Sequence, residues 1–100
     1  MQINKVFLDS QSLIVFTEAL TPAATAADSV VEQSFLVPSG TPALRTTDQV
    51  LVTGPGSGNA LGIGGAHVVD ATHIKIAFIN PTAGALTHAA GTFGFIVIRP

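Results

Sequence analysis

The sequence contains no cysteine, tryptophan or tyrosine, and only 10% of its 100 residues are charged. Without cysteine, disulfides, thiolate zinc sites and thiol nucleophiles are excluded. Without tryptophan or tyrosine, the aromatic platforms of sugar clefts and single-strand grooves could come only from six phenylalanines. Cations are scarcer still: Lys5, Arg45, Lys75 and Arg99 are scattered along the chain and form no basic stripe, so a nucleic-acid partner is disfavoured. Long apolar runs are missing too. The clusters Leu13 to Phe16 and Phe95 to Ile98 are far too short to cross a bilayer, and Asp9 interrupts the N-terminal stretch before a secretory signal develops. A soluble chain with no membrane partner is expected.

An average domain carries about 25% charged residues, so this exterior must be largely hydroxyls, amides and methyls. Few ions would lose hydration on burial, which suits contact with neighbouring subunits. At 10.2 kDa one domain is expected, burying only about 64% of the unfolded chain's surface. The reading is a component of an oligomer or lattice.

Two β-rich stretches, Ile3 to Leu8 and Leu13 to Phe16, flank the turn-like Asp9-Ser10-Gln11-Ser12 and predict a hairpin or an extended arm. Thr17 to Asp28 reads as an Ala- and Thr-rich connector stopped by Pro22, with enough alanine to support a short helix. Thr25-x-x-Asp28 and Ser29-x-x-Glu32 resemble capping boxes, but β-branched and aromatic residues follow, which favours a strand. In that strand Val31, Gln33, Phe35 and Val37 share one face, and Pro38-Ser39-Gly40 ends it. Val50 to Val52 predicts a short strand, closed by a flexible Gly-rich loop from Gly54. Ala66 to Val69 and His73 to Ile79 flank Asp70-Ala71-Thr72 as a hairpin with Ile74, Ile76 and Phe78 pointing inward. Asn80-Pro81-Thr82-Ala83-Gly84 breaks the chain again. Thr92 to Arg99 alternates Phe93, Phe95 and Val97 against Gly94, Ile96 and Ile98, which predicts a central strand covered on both faces. Short strands between Gly/Pro turns predict an all-β fold, an antiparallel β-sandwich or small β-barrel of immunoglobulin-like or jelly-roll-like kind. Residues 28–100 form its core and 1–27 an N-terminal arm or hairpin plus connector.

No reactive constellation stands out. The Gly54 to Gly65 run lacks the lysine and the following helix of a phosphate loop. His67, His73 and His88 show no ligand-like spacing with a carboxylate and read as surface or interface residues, with no metal. Ser57, His67 and Asp70 can be combined on paper, but Ser57 sits in no nucleophile elbow. The six carboxylates read as turn, cap and surface residues. No catalytic residue, cofactor or enzymatic activity is expected.

From about Ser29 onward the chain resembles a module of tailed-bacteriophage virion proteins of the head-decoration, or cement, type. The residues that carry this are Asp48-Gln49-Val50-Leu51-Val52, the stretch Gly65 to Phe78, Asn80-Pro81-Thr82-Ala83-Gly84-Ala85-Leu86-Thr87, and Gly91-Thr92-Phe93 leading into Ile96-Val97-Ile98-Arg99-Pro100. They span about two thirds of the chain. Similar sequences often have Arg where His67 stands and Tyr where Phe93 stands, and the first twenty or so residues have no counterpart. The resemblance implies a role on the outer capsid surface of a virion made in the host cytoplasm. Its partners would be the major capsid protein and the chain itself, usually as a homotrimer. A tail, fibre or receptor-binding module is the alternative, and a carbohydrate- or peptide-binding sandwich module the next.

The apolar N-terminal residues Ile3, Val6, Phe7, Leu8, Leu13, Val15 and Phe16 are the candidate protein interface. They form either an extra edge hairpin of the same domain or an arm that adds a strand to a neighbour.

Overall fold

The computed structural model describes residues 13–100. The strands are β1 (Leu13–Leu20), β2 (Ala24–Thr25), β3 (Ser29–Leu36), β4 (Gln49–Thr53), β5 (Gly62–Asp70), β6 (His73–Asn80), β7 (Leu86–Thr87) and β8 (Gly91–Ile98). Six of them form one antiparallel sheet in the order β1-β8-β4-β5-β6-β3, and β2 pairs with β7 in a small second sheet. The fold is all-β, as composition and turn spacing predict, and takes the form of a curled half-barrel.

Alternation along each strand decides which face turns inward. On β6, Ile74, Ile76 and Phe78 are at most 1% exposed, and on β8 Phe93, Phe95 and Val97 are buried beside them. β3 adds Val31 and Phe35 opposite Phe78 and Ile74, and Val37 follows into the core. Burying an aliphatic or phenyl side chain is worth about 1.5–3 kcal/mol, so these inward rows are what holds the sheet in its curl. β5 absorbs two register shifts against β6, at Ile63/Gly65 and Val68/Asp70, and Gly65 takes φ +128° there. Such bulges bend a strand locally, and only glycine adopts that backbone readily.

The two open ends of the curl are closed differently. At one end the segment after β3 crosses the β5–β6 turn, with Val37 N–H bonded to Thr72 O at 2.8 Å and Leu44 N–H to Ala71 O at 3.0 Å. Val37 and Leu44 cap the core there. At the other end Asn80 ties the strands to the small sheet. Its buried amide donates to Thr25 O and Gly84 O, while its oxygen accepts from Thr82 N–H and Thr82 Oγ1 at 2.7–3.0 Å.

Several sequence expectations need correction. The connector from Thr17 is strand as far as Leu20, because its residues continue the pairing of β1 with β8, and no helix forms among the described residues. The Gly54 to Gly65 run is no free tip. Gly62 to Gly65 belong to β5, Leu61 is buried, Asn59 donates to Thr87 O, and Ala89 N–H donates to Ser57 O. β8 is central, between β1 and β4, but only its inner face is covered among the described residues. The other carries Ile96 at 40% and Ile98 at 38% exposure.

Candidate docking face

The residues that pair across β1, β8 and β4 settle what the outer face presents. Leu13, Val15, Thr17 and Ala19 of β1 lie opposite Ile98, Ile96, Gly94 and Thr92 of β8. Gln49, Leu51 and Thr53 of β4 lie opposite Ile98, Ile96 and Gly94 from the other side. None of these positions is charged. Val15, Ile96 and Leu51 form a continuous row across three strands, and Val15 and Leu51 are 63% and 57% exposed. Exposed aliphatic side chains scattered singly are ordinary; a contiguous row in an ion-free field makes this face the candidate interaction surface.

The other half of the sheet's outer face is different. Val30 and Ile79 form an exposed apolar pair, yet the same face carries Glu32, His67 and Lys75. Glu32 reaches over β6 to His67, with Oε2 and Nδ1 3.2 Å apart. At the adjoining turn, Asp70 accepts from Thr72 N–H at 2.9 Å and contacts His73 Nδ1 at 2.9 Å. These two contacts hold its carboxyl below the ordinary carboxylate range, the Thr72 amide contributing most. The sheet is thus divided into an ion-free half and a polar half in which charges stand among exposed aliphatics, Leu36 at 61% included.

The candidate interface residues are distributed over this frame. Ile3, Val6, Phe7 and Leu8 lie outside the described residues. Val15 stands on the exposed row and Leu13 at its half-buried margin, while Phe16 turns inward and stacks on Phe95, ring centroids 4.9 Å apart. Leu51, Ile96 and Ile98 complete the face, and the sequence reading did not single them out. The alternation of β8 carries the signal, but apolar residues on both faces fit cover on both sides as well as an exposed outer row.

The three histidines do not meet. His67 and His73 bind different carboxylates. His88 is not a surface residue: it is 3% exposed, wedged between Phe78 and Phe93 at centroid distances of 5.6 and 5.3 Å, with Nδ1 2.8 Å from Ala89 O. That contact assigns the proton to Nδ1, which donates to the carbonyl. Ser57 lies in the loop closing the Asn80 end and Asp70 at the opposite end of the sheet, so the paper triad is dispersed. Among the described residues no group of three or more metal-ligating side chains converges.

An ion pair between the buried Asp48 and the half-buried Arg99 fixes one margin of the face. Arg99, just beyond β8, donates from Nε and Nη2 to the two Asp48 oxygens at 3.0 and 2.9 Å, and Nη2 also reaches Ala43 O. Asp48 further accepts from Arg45 N–H at 2.9 Å. The Arg99 guanidinium holds the Asp48 carboxyl below its ordinary range, with the Arg45 amide adding to this against the opposing effect of burial. The fork anchors the end of β8 to the start of β4, the two strands that carry Ile96, Ile98 and Leu51.

Compared with models of known protein families, with curated proteins and with solved structures, the chain matches none.

Proposed function

We propose that this chain is a structural virion protein that decorates and cements the outer surface of a bacteriophage capsid through protein–protein contacts, its partners being the major capsid protein and other copies of itself, as a homotrimer. The observation that carries the assembly role is the uncharged, apolar outer face of β1, β8 and β4. The resemblance of the chain from Ser29 onward supplies the capsid setting.

The mechanism is thermodynamic and needs no chemistry. A protein that binds only the assembled lattice stabilises it by RT ln(1 + [L]/Kd), about 2.7 kcal/mol per site at a hundredfold excess over Kd. The face suits such binding for two reasons. Its strands are held by the main sheet, so little backbone entropy is lost on docking, and it carries no ion that must be stripped of water.

The test is co-sedimentation of the purified protein with expanded, undecorated capsids at low micromolar concentration. Saturable pelleting is expected, with loss of at least tenfold in affinity for the Leu51→Lys/Ile96→Lys variant, since two buried ammonium groups would cost more than the roughly 1.4 kcal/mol per decade. No pelleting of the unaltered protein rules out the capsid role. Adsorption to host cells in its place would select the tail or fibre alternative.

A further inference from the structure

The two ends of the curl are closed by different chemistry. At the Asn80 end the side chains that tie loop to strand are neutral carboxamides: Asn80 holds Thr25, Thr82 and Gly84, and Asn59 donates to Thr87 O while accepting from Leu61 N–H, both at 3.0 Å. Asp28 joins that end through its backbone N–H, which donates to Thr82 O at 2.9 Å. At the opposite end the same work falls to two carboxylates.

Residues 37–48 run from the end of β3 to the start of β4 without a strand of their own, and only Val37, Leu44 and Asp48 among them are buried. An irregular stretch with so few anchors has little local stability. It is fastened in two places. Its first part leans on the β5–β6 turn, where the Val37 and Leu44 N–H groups reach Thr72 O and Ala71 O. One oxygen organises that turn: Asp70 Oδ1 accepts from Thr72 N–H at 2.9 Å and from Thr72 Oγ1 at 3.2 Å, and meets His73 Nδ1 at 2.9 Å. The last part is fastened by Asp48, which accepts from Arg45 N–H and from Arg99 Nε and Nη2, while Nη2 also reaches Ala43 O.

The charged groups that meet these carboxylates are Arg99 from beyond β8, Arg45 from the segment itself and His73 from β6. β4 brings no ion, and His67 of β5 is held by Glu32. Each carboxylate therefore serves three donors as an ion. Protonation would give it a donor of its own to place and remove the charge that strengthens its bonds. These contacts hold both carboxyls below the ordinary range, so the stabilisation is complete above about pH 4 and drains away as pH falls through the folded values. Asn80 and Asn59 do not titrate. A protonated His73 would only strengthen the contact with Asp70, so the loss follows the carboxylates.

We propose that residues 37–48 are a strap latched by the ionised side chains of Asp48 and Asp70, and that acid releases it as a unit while the six-stranded sheet and its Asn80 end stay folded. Release uncovers Val68, Ile74 and Val97, the last inward residues of β5, β6 and β8 before that end. The latch needs no docking partner and does not rest on the capsid reading.

Amide exchange of the full-length chain, followed by NMR from pH 7 to about pH 2.5 and corrected for intrinsic rates, tests this. At the acid limit Val37 and Leu44 are expected to keep less than about tenfold protection, while Ile76, Val97 and Leu61 keep more than about a hundredfold. The strap resonances should shift with a midpoint below about pH 4. Protection lost everywhere together, lost first at Leu61, or retained at Val37 and Leu44 overturns the proposal. So does a higher midpoint, toward the range in which imidazoles titrate. In the Asp48→Asn/Asp70→Asn variant, Val37 and Leu44 should exchange at least about tenfold faster at pH 7 and show no further acid step. A variant that keeps the acid step of the unaltered chain overturns the latch; should the variant not fold, the titration of the unaltered chain decides alone. None of these readouts involves capsids, so failure here and failure of the capsid role are separable.

Discussion

Single side chains in this protein do work that their residue types do not announce. His88 serves as a core residue, its ring filling the space between two phenyl groups. Truncation to alanine should leave a cavity and cost about 2–4 kcal/mol, read as a lowered denaturation midpoint in urea at unchanged slope. Asp48 is the polar counterpart. Its folded-state ionisation lies below the ordinary carboxylate value of about 3.9, so it contributes stability that is full above that pH and drains away as pH falls through the folded value. Asp48→Asn should therefore melt roughly 5–15 °C lower than the unaltered chain at pH 7, with the gap closing as pH falls below about 4. Thermal melts across that window check it, and a gap independent of pH would contradict the assignment. Asn80 satisfies four backbone or hydroxyl groups at once, while Thr25 Oγ1 is buried with no partner among the described residues.

At the scale of elements, the close approach of a loop to a core ring decides which glycines matter. A Cβ at Gly54 would stand 2.6 Å from the Phe93 ring, which is fully buried and has nowhere to move, whereas one at Gly56 meets nothing within 4 Å. Gly54→Ala should destabilise by about 1–3 kcal/mol and Gly56→Ala by no more than about 0.5, compared by chemical denaturation. The strands themselves were legible in the sequence wherever period-two alternation was strong. Phe35 with Val31, Ile74 with Ile76 and Phe78, and Phe93 with Phe95 and Val97 all face inward as expected. The connector after Phe16 was not legible as strand because Glu18 and Ala19 are weak strand formers and Pro22 follows closely. Pairing with β8 keeps them extended, and tertiary context overrides a propensity scale that spans only about 1 kcal/mol.

For the whole molecule, the division of the sheet's outer surface into an ion-free and a polar half gives the proposed docking face a direction. Charge placed on the polar half should be tolerated: Ser34→Lys, on the outer face opposite Lys75, is expected to leave capsid co-sedimentation within twofold of the unaltered protein. Leu51→Lys/Ile96→Lys should weaken the same binding at least tenfold while costing no more than about 1–2 kcal/mol of stability, because both side chains are exposed although the two ammonium groups would face each other across the strands. Matched losses of binding from both halves would mean that the face was wrongly chosen.

The amino-acid sequence determined the all-β class, the inward rows and the scarcity of ions, because these follow from composition and from local alternation that each strand carries within itself. It also placed Val15 in the candidate interface. Which alternating row would be left uncovered could be decided only by tertiary structure. β8 has apolar residues on both faces, and whether Ile96 and Ile98 meet a second layer depends on strands and loops far away in the chain. Here those loops close the two ends of a single curled sheet, burying His88 and Leu61 within and leaving the outer row of β1, β8 and β4 uncovered among the described residues.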